Sequence, residues 1–376
     1  MNTILHNFFI RNSRLQNKDA ALLMLASLAA PAAGIAVIAI LLFCWSKAPS
    51  AALVSFLTGS FRSPYYLGIL LNTASLFMTA GTGAALAIKS GQLNLGGEGQ
   101  IYAGGFVTAI VLNKLVPAQT TSITILAPAM CAAFVCAICT GTAMTVLCGA
   151  LKERRGANEL LTTFLLSAAV IPLIDSAVSG KFRTTEGNLL ATPFIADKLR
   201  FAKLLPPSPF NASFFAAVLI CMAAGLFVYR TAAGRRLQIW GKAPEFARYC
   251  GFIHQTNTYG VLAVSGAFHG LTGFFAVCGT YYTCHAGFYA GIGWNALSCA
   301  LISHGNPAML VPVSLLLSWI FTSADRVALT ENFGFDISSL VQGIVLVSIS
   351  FSAAVSALRA RSNEKKQRTQ TGGEQP

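Results

Sequence analysis

Two glycine-rich interruptions of otherwise apolar sequence hold most of the residues able to do chemistry. The first, residues 91–105 (GQLNLGGEGQIYAGG), gathers Asn94, Glu98 and Gln100; the second, residues 287–307 (GFYAGIGWNALSCALISHGNP), carries Trp294 and Asn295. Polar side chains in apolar surroundings cost free energy unless they are satisfied. Glycines alone serve close helix packing, which accounts for Gly104 and Gly105 but not for the amides and the carboxylate beside them. Short, Gly/Pro-interrupted segments in corresponding positions of two halves mark a solute site built from broken helices. Asn94, Glu98, Gln100, Trp294 and Asn295 are therefore the candidate substrate path.

Other chemistries find little support. Residues 83–90 (GAALAIKS) end in the Lys-Ser of a phosphate loop, but Ile88 stands where that loop needs glycine. The five histidines (His6, His254, His269, His285 and His304) are dispersed, so no convergent set of nucleophile, base and orienting group forms. An ion-coupled carrier needs ionisable residues within several spans; Glu98, Asp175 and, near a helix start, Glu159 are the few available. The ten cysteines show no zinc or haem spacing. Cys136 and Cys139 read as helix packing, whereas Cys278 and Cys284 could pair near the outer face. No cofactor and no metal is expected.

The elements that must position these residues are membrane helices. The chain is 55% hydrophobic and 10% charged over 376 residues, with a mean hydropathy of +0.63. Soluble domains carry about 25% charged residues, so lipid must be the solvent for most of this surface. Apolar runs occur at 20–45, 65–88, 101–112 with the preceding Gly-rich stretch, 123–147, 160–178, 210–229, 258–280, 291–303, 307–321 and 337–358. A simple crossing takes about 17–25 residues; the third, eighth and ninth runs fall short and are expected as broken or paired segments. Alternating segments of a β-barrel are absent from the sequence. The fold class is an all-α polytopic membrane protein of about ten transmembrane helices with two broken Gly-rich segments.

Charge orients it. The net charge of +13 lies in loops beside the spans, which suits a membrane surface and not a nucleic acid. With the N-terminus inside, 17 of the 26 Lys and Arg fall in cytoplasmic segments, and five of the other nine lie in the single long loop 180–209. The positive-inside rule then makes both termini cytoplasmic. The expected organisation is a cytoplasmic segment 1–19, a transmembrane domain 20–358 containing a cytoplasmic loop 230–257, and a disordered tail 359–376. The first run is too long for the apolar core of a signal peptide and is expected to remain as an anchor.

Within that loop, residues 234–252 (GRRLQIWGKAPEFARYCGF) carry helix start and stop signals. Pro244 suits a first helical position and Gly251 a C-terminal cap. Phe246 and Tyr249, interleaved with Glu245 and Arg248, make a short aromatic helix suited to docking a partner protein; an ordinary basic anchoring loop is the alternative.

Four stretches in order resemble the permease subunits of nucleoside-type ABC importers, within the branched-chain amino acid and simple-sugar permease superfamily. Gly91, Asn94, Gly96, Glu98, Gly99 and Gln100 match one motif, and Gly156, Asn158, Glu159 and Thr162 a second. Leu237, Gly241, Pro244, Ala247, Arg248, Tyr249 and Gly251 match its coupling loop. Gly291, Gly293, Ala300, Leu301, Asn306 and Pro307 match its second Gly-rich run. The resemblance covers about residues 65–321.

It implies an importer in the bacterial inner membrane with a cytoplasmic ATP-binding subunit and a periplasmic or lipoprotein solute-binding protein. A second permease subunit completes it, this chain resembling the larger of the pair, with membrane lipids around both. The chain itself would be a transporter subunit and not an enzyme. It implies ATPase coupling through Gly241, Pro244, Phe246, Arg248, Tyr249 and Gly251. Purine nucleosides or riboflavin are the typical cargo, simple sugars an alternative. Departures from the family pattern are Gln238, Lys242 and Ala243 in the coupling loop, with Ser167, Asn295 and His304 elsewhere. An ion-coupled secondary transporter and a membrane-embedded enzyme remain as other classes, to be separated by the energy source and by product formation.

Overall fold

In a computed structural model the described residues are 31–348, apart from 117–121, 186–187, 290, 332–336 and 338. The expected N-terminal segment 1–19, the beginning of the first span and the tail 359–376 lie outside them. Thirteen α-helices are named here in chain order. Before the first glycine-rich stretch come α1 (Pro31–Trp45), α2 (Pro49–Arg62) and α3 (Pro64–Lys89). Then follow α4 (Gly97–Leu115), α5 (Ile123–Arg155), α6 (Glu159–Ser179) and α7 (Ser213–Arg230). The short α8 (Ala232–Lys242) and α9 (Pro244–Tyr249) precede α10 (His254–Ala276), which continues as a π turn over Val277–Tyr281. The chain then forms α11 (Ile292–Ile302), α12 (Leu310–Thr330) and α13 (Ser339–Ser348).

Among the described residues six helices are long and apolar enough to cross a membrane: α3, α5, α6, α7, α10 with its π turn, and α12 with its lead-in from Pro307. Two of the runs read as too short are longer than their apolar parts. The ninth continues past Phe321 through Asp325 and Arg326 to Thr330, so that Pro307–Thr330 spans 24 residues. Charged residues on one face lower its hydropathy without breaking its backbone bonds. The third begins at Gly97 and runs for 19 residues, because the glycine-rich stretch is its first turns. The eighth stays short, at 11 residues. The helix α2 lies outside the runs read from hydropathy.

Position in the bundle follows composition. In α3, 83% of the spanning window is buried, against 22% in α6. Small residues fill α3, while α6 turns Leu161, Leu165 and Leu173 outward. The hub is α10, whose Gly266 and Gly270 face the backbones of Gly141 and Ala137 on α5, the small-residue packing that lets membrane helices approach closely.

Helix ends explain one of the sequence motifs. Gly156 closes α5 in the left-handed conformation (φ 66°), its N–H donating to the Lys152 carbonyl at 2.9 Å. Two residues on, Asn158 caps α6 by accepting from Leu160 N at 2.9 Å. Lys152 and Glu159 then pair across the turn at 3.0 Å.

The two ends of the bundle differ. At one end the α3 C-terminus touches α8, and Gly149 near the α5 C-terminus lies beside Tyr259 near the start of α10. The basic residues at 89, 152–155 and 230–248 collect there. At the other end loop 180–212 is laid across the end of α10, where Ile195 N and Phe201 N donate to the Tyr282 and Cys278 carbonyls, each at 2.9 Å.

Candidate functional site

The first glycine-rich stretch makes a corner between α3 and α4. Gly91 turns the chain with φ +75°, a conformation that costs glycine little. Past the corner, Asn94 and Gln100 bind each other reciprocally, Asn94 Nδ2 donating to Gln100 Oε1 at 2.8 Å and Gln100 Nε2 to Asn94 Oδ1 at 2.9 Å. Asn94 Oδ1 also accepts from Gly96 N at 3.0 Å, and its amide donates to Ser265 Oγ at 3.0 Å. His269 Nδ1 lies 2.7 Å from Gln100 Oε1; an amide oxygen only accepts, so the imidazole donates here. Asn94, Gln100 and His269 are each 3% exposed or less. These amides bind the start of α4 to α10.

Two hydroxyls on α6 complete the cap. Thr163 Oγ1 accepts from Leu95 N, just ahead of the helix, at 3.1 Å, and Ser167 Oγ accepts at 2.8 Å from Gly99 N, an N–H that the N-terminal turn leaves free. Ser167, a departure from the family pattern, works here as a capping acceptor.

Glu98 joins the two interruptions. Its Oε1 accepts from Gly291 N at 2.9 Å, and its carboxylate also takes a hydrogen bond from the Trp294 side chain. Gly291 is the N-cap of α11, and Glu98 sits in the first turn of α4. One carboxylate thus faces the positive ends of two helices, the favourable placement for an anion. The backbones abut: a Cβ on Gly293 would lie 2.5 Å from Glu98 N. Trp294 is half-buried with its ring 6.3 Å from that of Phe164 on α6.

On another face of α11 lies a cavity of about 590 Å³, between α3, α11, α12 and α13. Tyr66, Phe77, Tyr281 and Phe321 supply aromatic walls, and Asn295 and Gln342 bring amides. Arg326 sits over the Tyr66 ring at 4.7 Å and donates to the Ser55 carbonyl at 3.2 Å. The cavity is at the end of the bundle away from the basic loops. Of the five path candidates, Asn295 lines it; Glu98 and Trp294 hold the helix start beside it; Asn94 and Gln100 are buried behind Glu98. Sequence reasoning did not pick out Tyr66, Tyr281, Arg326 or Gln342. The polar residues of residues 322–326, immediately past an apolar run, were the available signal.

At the basic end, α9 begins with Pro244 in the first turn and is followed by Gly251 at φ +76°. Ala243 provides no side-chain cap. Ala247 is fully buried, whereas Phe246 is 56% and Tyr249 91% exposed. Arg248 pairs with Glu245 at 3.1 Å within the helix. The preceding α8, capped by Thr231 Oγ1 accepting from Gly234 N at 3.0 Å, buries Leu237 and Trp240. Its Gly241 packs directly on the α3–α4 corner.

Residues 66–350 match the family model described as branched-chain amino acid transport system / permease component. The chain belongs to this family. Among curated proteins, this ABC permease is 35% identical over 329 residues to the probable riboflavin import permease protein RfuC of Treponema pallidum, covering 87% of this chain and 85% of that one. It is 25% identical over 300 residues to the glucose ABC transporter permease protein TsgB13 of Haloferax volcanii, with 76% of each covered. The guanosine ABC transporter permease protein NupP of Bacillus subtilis is 20% identical over 316 residues, 82% of this chain and 87% of that one. No solved structure matches. This permease is thus a multi-pass membrane component of an ABC importer, a transporter subunit and not an enzyme, and it works with an ATPase and a substrate-binding partner.

Proposed function

We propose that this permease carries riboflavin or a guanosine-like purine nucleoside inward across the bacterial inner membrane. The observation that carries the reading is the juxtaposition of the Glu98–Gly291 bond with an aromatic-walled cavity lined also by the amide residues Asn295 and Gln342. Both named cargoes present a flat heterocycle and a polyhydroxylated chain, which suit apolar walls with a few placed polar groups. Of the three relatives named above, the riboflavin permease shares 35% identity with this chain, against 25% and 20% for the other two. A glucose relative keeps simple sugars as a second reading, although a sugar makes less use of four aromatic faces.

In this reading the chain crosses about ten times with both termini cytoplasmic, 20–358 being the membrane domain. The basic end faces the cytoplasm, and the cavity faces the solute-binding protein, a periplasmic or lipoprotein component. Glu98, Trp294 and Asn295 form the path, with Asn94 and Gln100 shaping it from behind. Phe246, Arg248 and Tyr249, presented by Gly241, Pro244 and Gly251, contact the ATP-binding subunit, and a shorter sister permease completes a heterodimer. Cells lacking the importer genes and supplied with the whole system test it. Energy-dependent uptake of labelled riboflavin or guanosine is expected; uptake of glucose alone would replace the cargo.

A further inference from the structure

A second cavity, of about 700 Å³, opens as a groove at the basic end, bounded by α7, α8, α10 and the last turns of α3. Its walls are apolar, with Phe227 of α7, Leu237 and Trp240 of α8 and Val264 of α10 among them. Phe227 and Val264 are exposed, and they belong to two of the membrane spans, Ser213–Arg230 and Thr258–Tyr281. Gly260 of α10 also lines the groove, and a Cβ added there would meet no atom within 4 Å. Glycine inside a helix costs stability relative to alanine, and no neighbour requires this one; its effect is to widen the groove. One charge stands in the lining. Arg236 of α8 lies over the Phe252 ring at 5.5 Å, and among the described residues it pairs with no carboxylate. The surrounding segment 230–248 holds five basic side chains and one acidic, Glu245.

We propose that this groove binds an anionic phospholipid from the leaflet at the basic end, one acyl chain lying along Phe227 and Val264 and the phosphate on Arg236. The site is independent of which solute is carried. Lipid tails are as apolar as these walls, so an acyl chain gains little by leaving its neighbours for the groove. Preference for one lipid over another must then come from the head group, and a basic side chain at the membrane surface favours an anionic one. An ATPase surface suits the groove less well. Neither Phe246 nor Tyr249 of α9 lines it, and its walls continue into spans that a cytoplasmic protein does not reach. A lipid seated here touches α7, α8 and α10 together. It steadies α8, whose Gly241 rests on the α3–α4 corner.

The test uses the whole importer, purified and reconstituted in phosphatidylethanolamine vesicles. Each preparation carries a trace of a lipid with a photoactivatable diazirine on its acyl chain, as either phosphatidylglycerol or phosphatidylethanolamine. After illumination the labelled peptides are mapped by mass spectrometry. The phosphatidylglycerol probe should label residues 227–264 about fivefold more than the phosphatidylethanolamine probe. Arg236→Gln should remove most of that preference. Gly260→Trp, whose ring enters the groove, should abolish the labelling there, whereas Gly260→Ala, which adds a Cβ in open space, should leave it unchanged. Association with the ATPase is measured for every variant, so that a misfolded one is recognised. Equal labelling by the two probes means ordinary surrounding lipid and overturns the proposal. So does an absence of label in this segment of the assembled importer, which would mean that a protein face covers the groove. Labelling that survives both Arg236→Gln and Gly260→Trp overturns it as well.

Discussion

Gly241 of α8 rests on Gly91 of the α3–α4 corner: a Cβ added to Gly91 would lie 3.1 Å from the Gly241 Cα. In the other direction a Cβ on Gly241 would collide with the Lys89 carbonyl oxygen. The same corner leads within a few residues to Asn94 and Glu98. A push on α8 and α9 therefore has a backbone-to-backbone route to the helix start that Glu98 ties to α11.

Widening this contact should break transmission. Gly241→Val forces the two backbones apart, and overpacking of this kind costs about 1–3 kcal/mol. Uptake is expected to fall at least tenfold while the ATPase still copurifies and still hydrolyses ATP. Normal uptake with this variant would remove the corner from the coupling route.

Glu98→Ala deletes the acceptor for Gly291 N and for the Trp294 side chain. Loss of most uptake is expected, with membrane insertion and ATPase association intact. Glu98→Gln keeps an amide oxygen for Gly291 N and should retain more activity than Glu98→Ala. If Glu98→Ala transports at the original rate, the Glu98 bonds are local structure only.

Tyr249 and Phe246 present apolar surface at the basic end, and aromatic side chains dominate interface energetics. Tyr249→Ala is expected to release the ATPase or to leave hydrolysis running without transport. A cysteine placed at 246 or 249 should crosslink to the ATPase subunit. Crosslinking from residues 152–158 in its place would move the docking role to the α5–α6 turn.

The purified permease alone should neither bind nor hydrolyse ATP, because Ile88 replaces the glycine a phosphate loop requires. Stoichiometric nucleotide binding by the pure chain, measured by equilibrium dialysis, would contradict this division of labour.

The helices were legible because lipid imposes one solution. Apolar length predicts a span, and backbone groups without water must bond within it; α3, α5, α6, α7 and α10 fall where hydropathy puts them. Pro244 and Gly251 announced α9 because restricted and permissive backbones act locally. Local rules also explain Gly156 and Asn158, whose motif is a helix stop and a helix start. What hydropathy averaged away was the last part of α12, where Asp325 and Arg326 lie beside a cavity, and the glycine-rich opening of α4.

Composition and the spacing of charges were enough to show that this protein lives in a membrane, how its basic residues group, and which polar residues interrupt its apolar runs. The partners of those residues came from helix packing. Asn94 and Gln100 satisfy each other and His269, Glu98 spans 193 residues of sequence to reach Gly291 N, and Asn295 lines a cavity. Polarity at a position is a local property of the chain. Whether that polarity is consumed by a neighbour or left for a solute depends on partners brought together by packing.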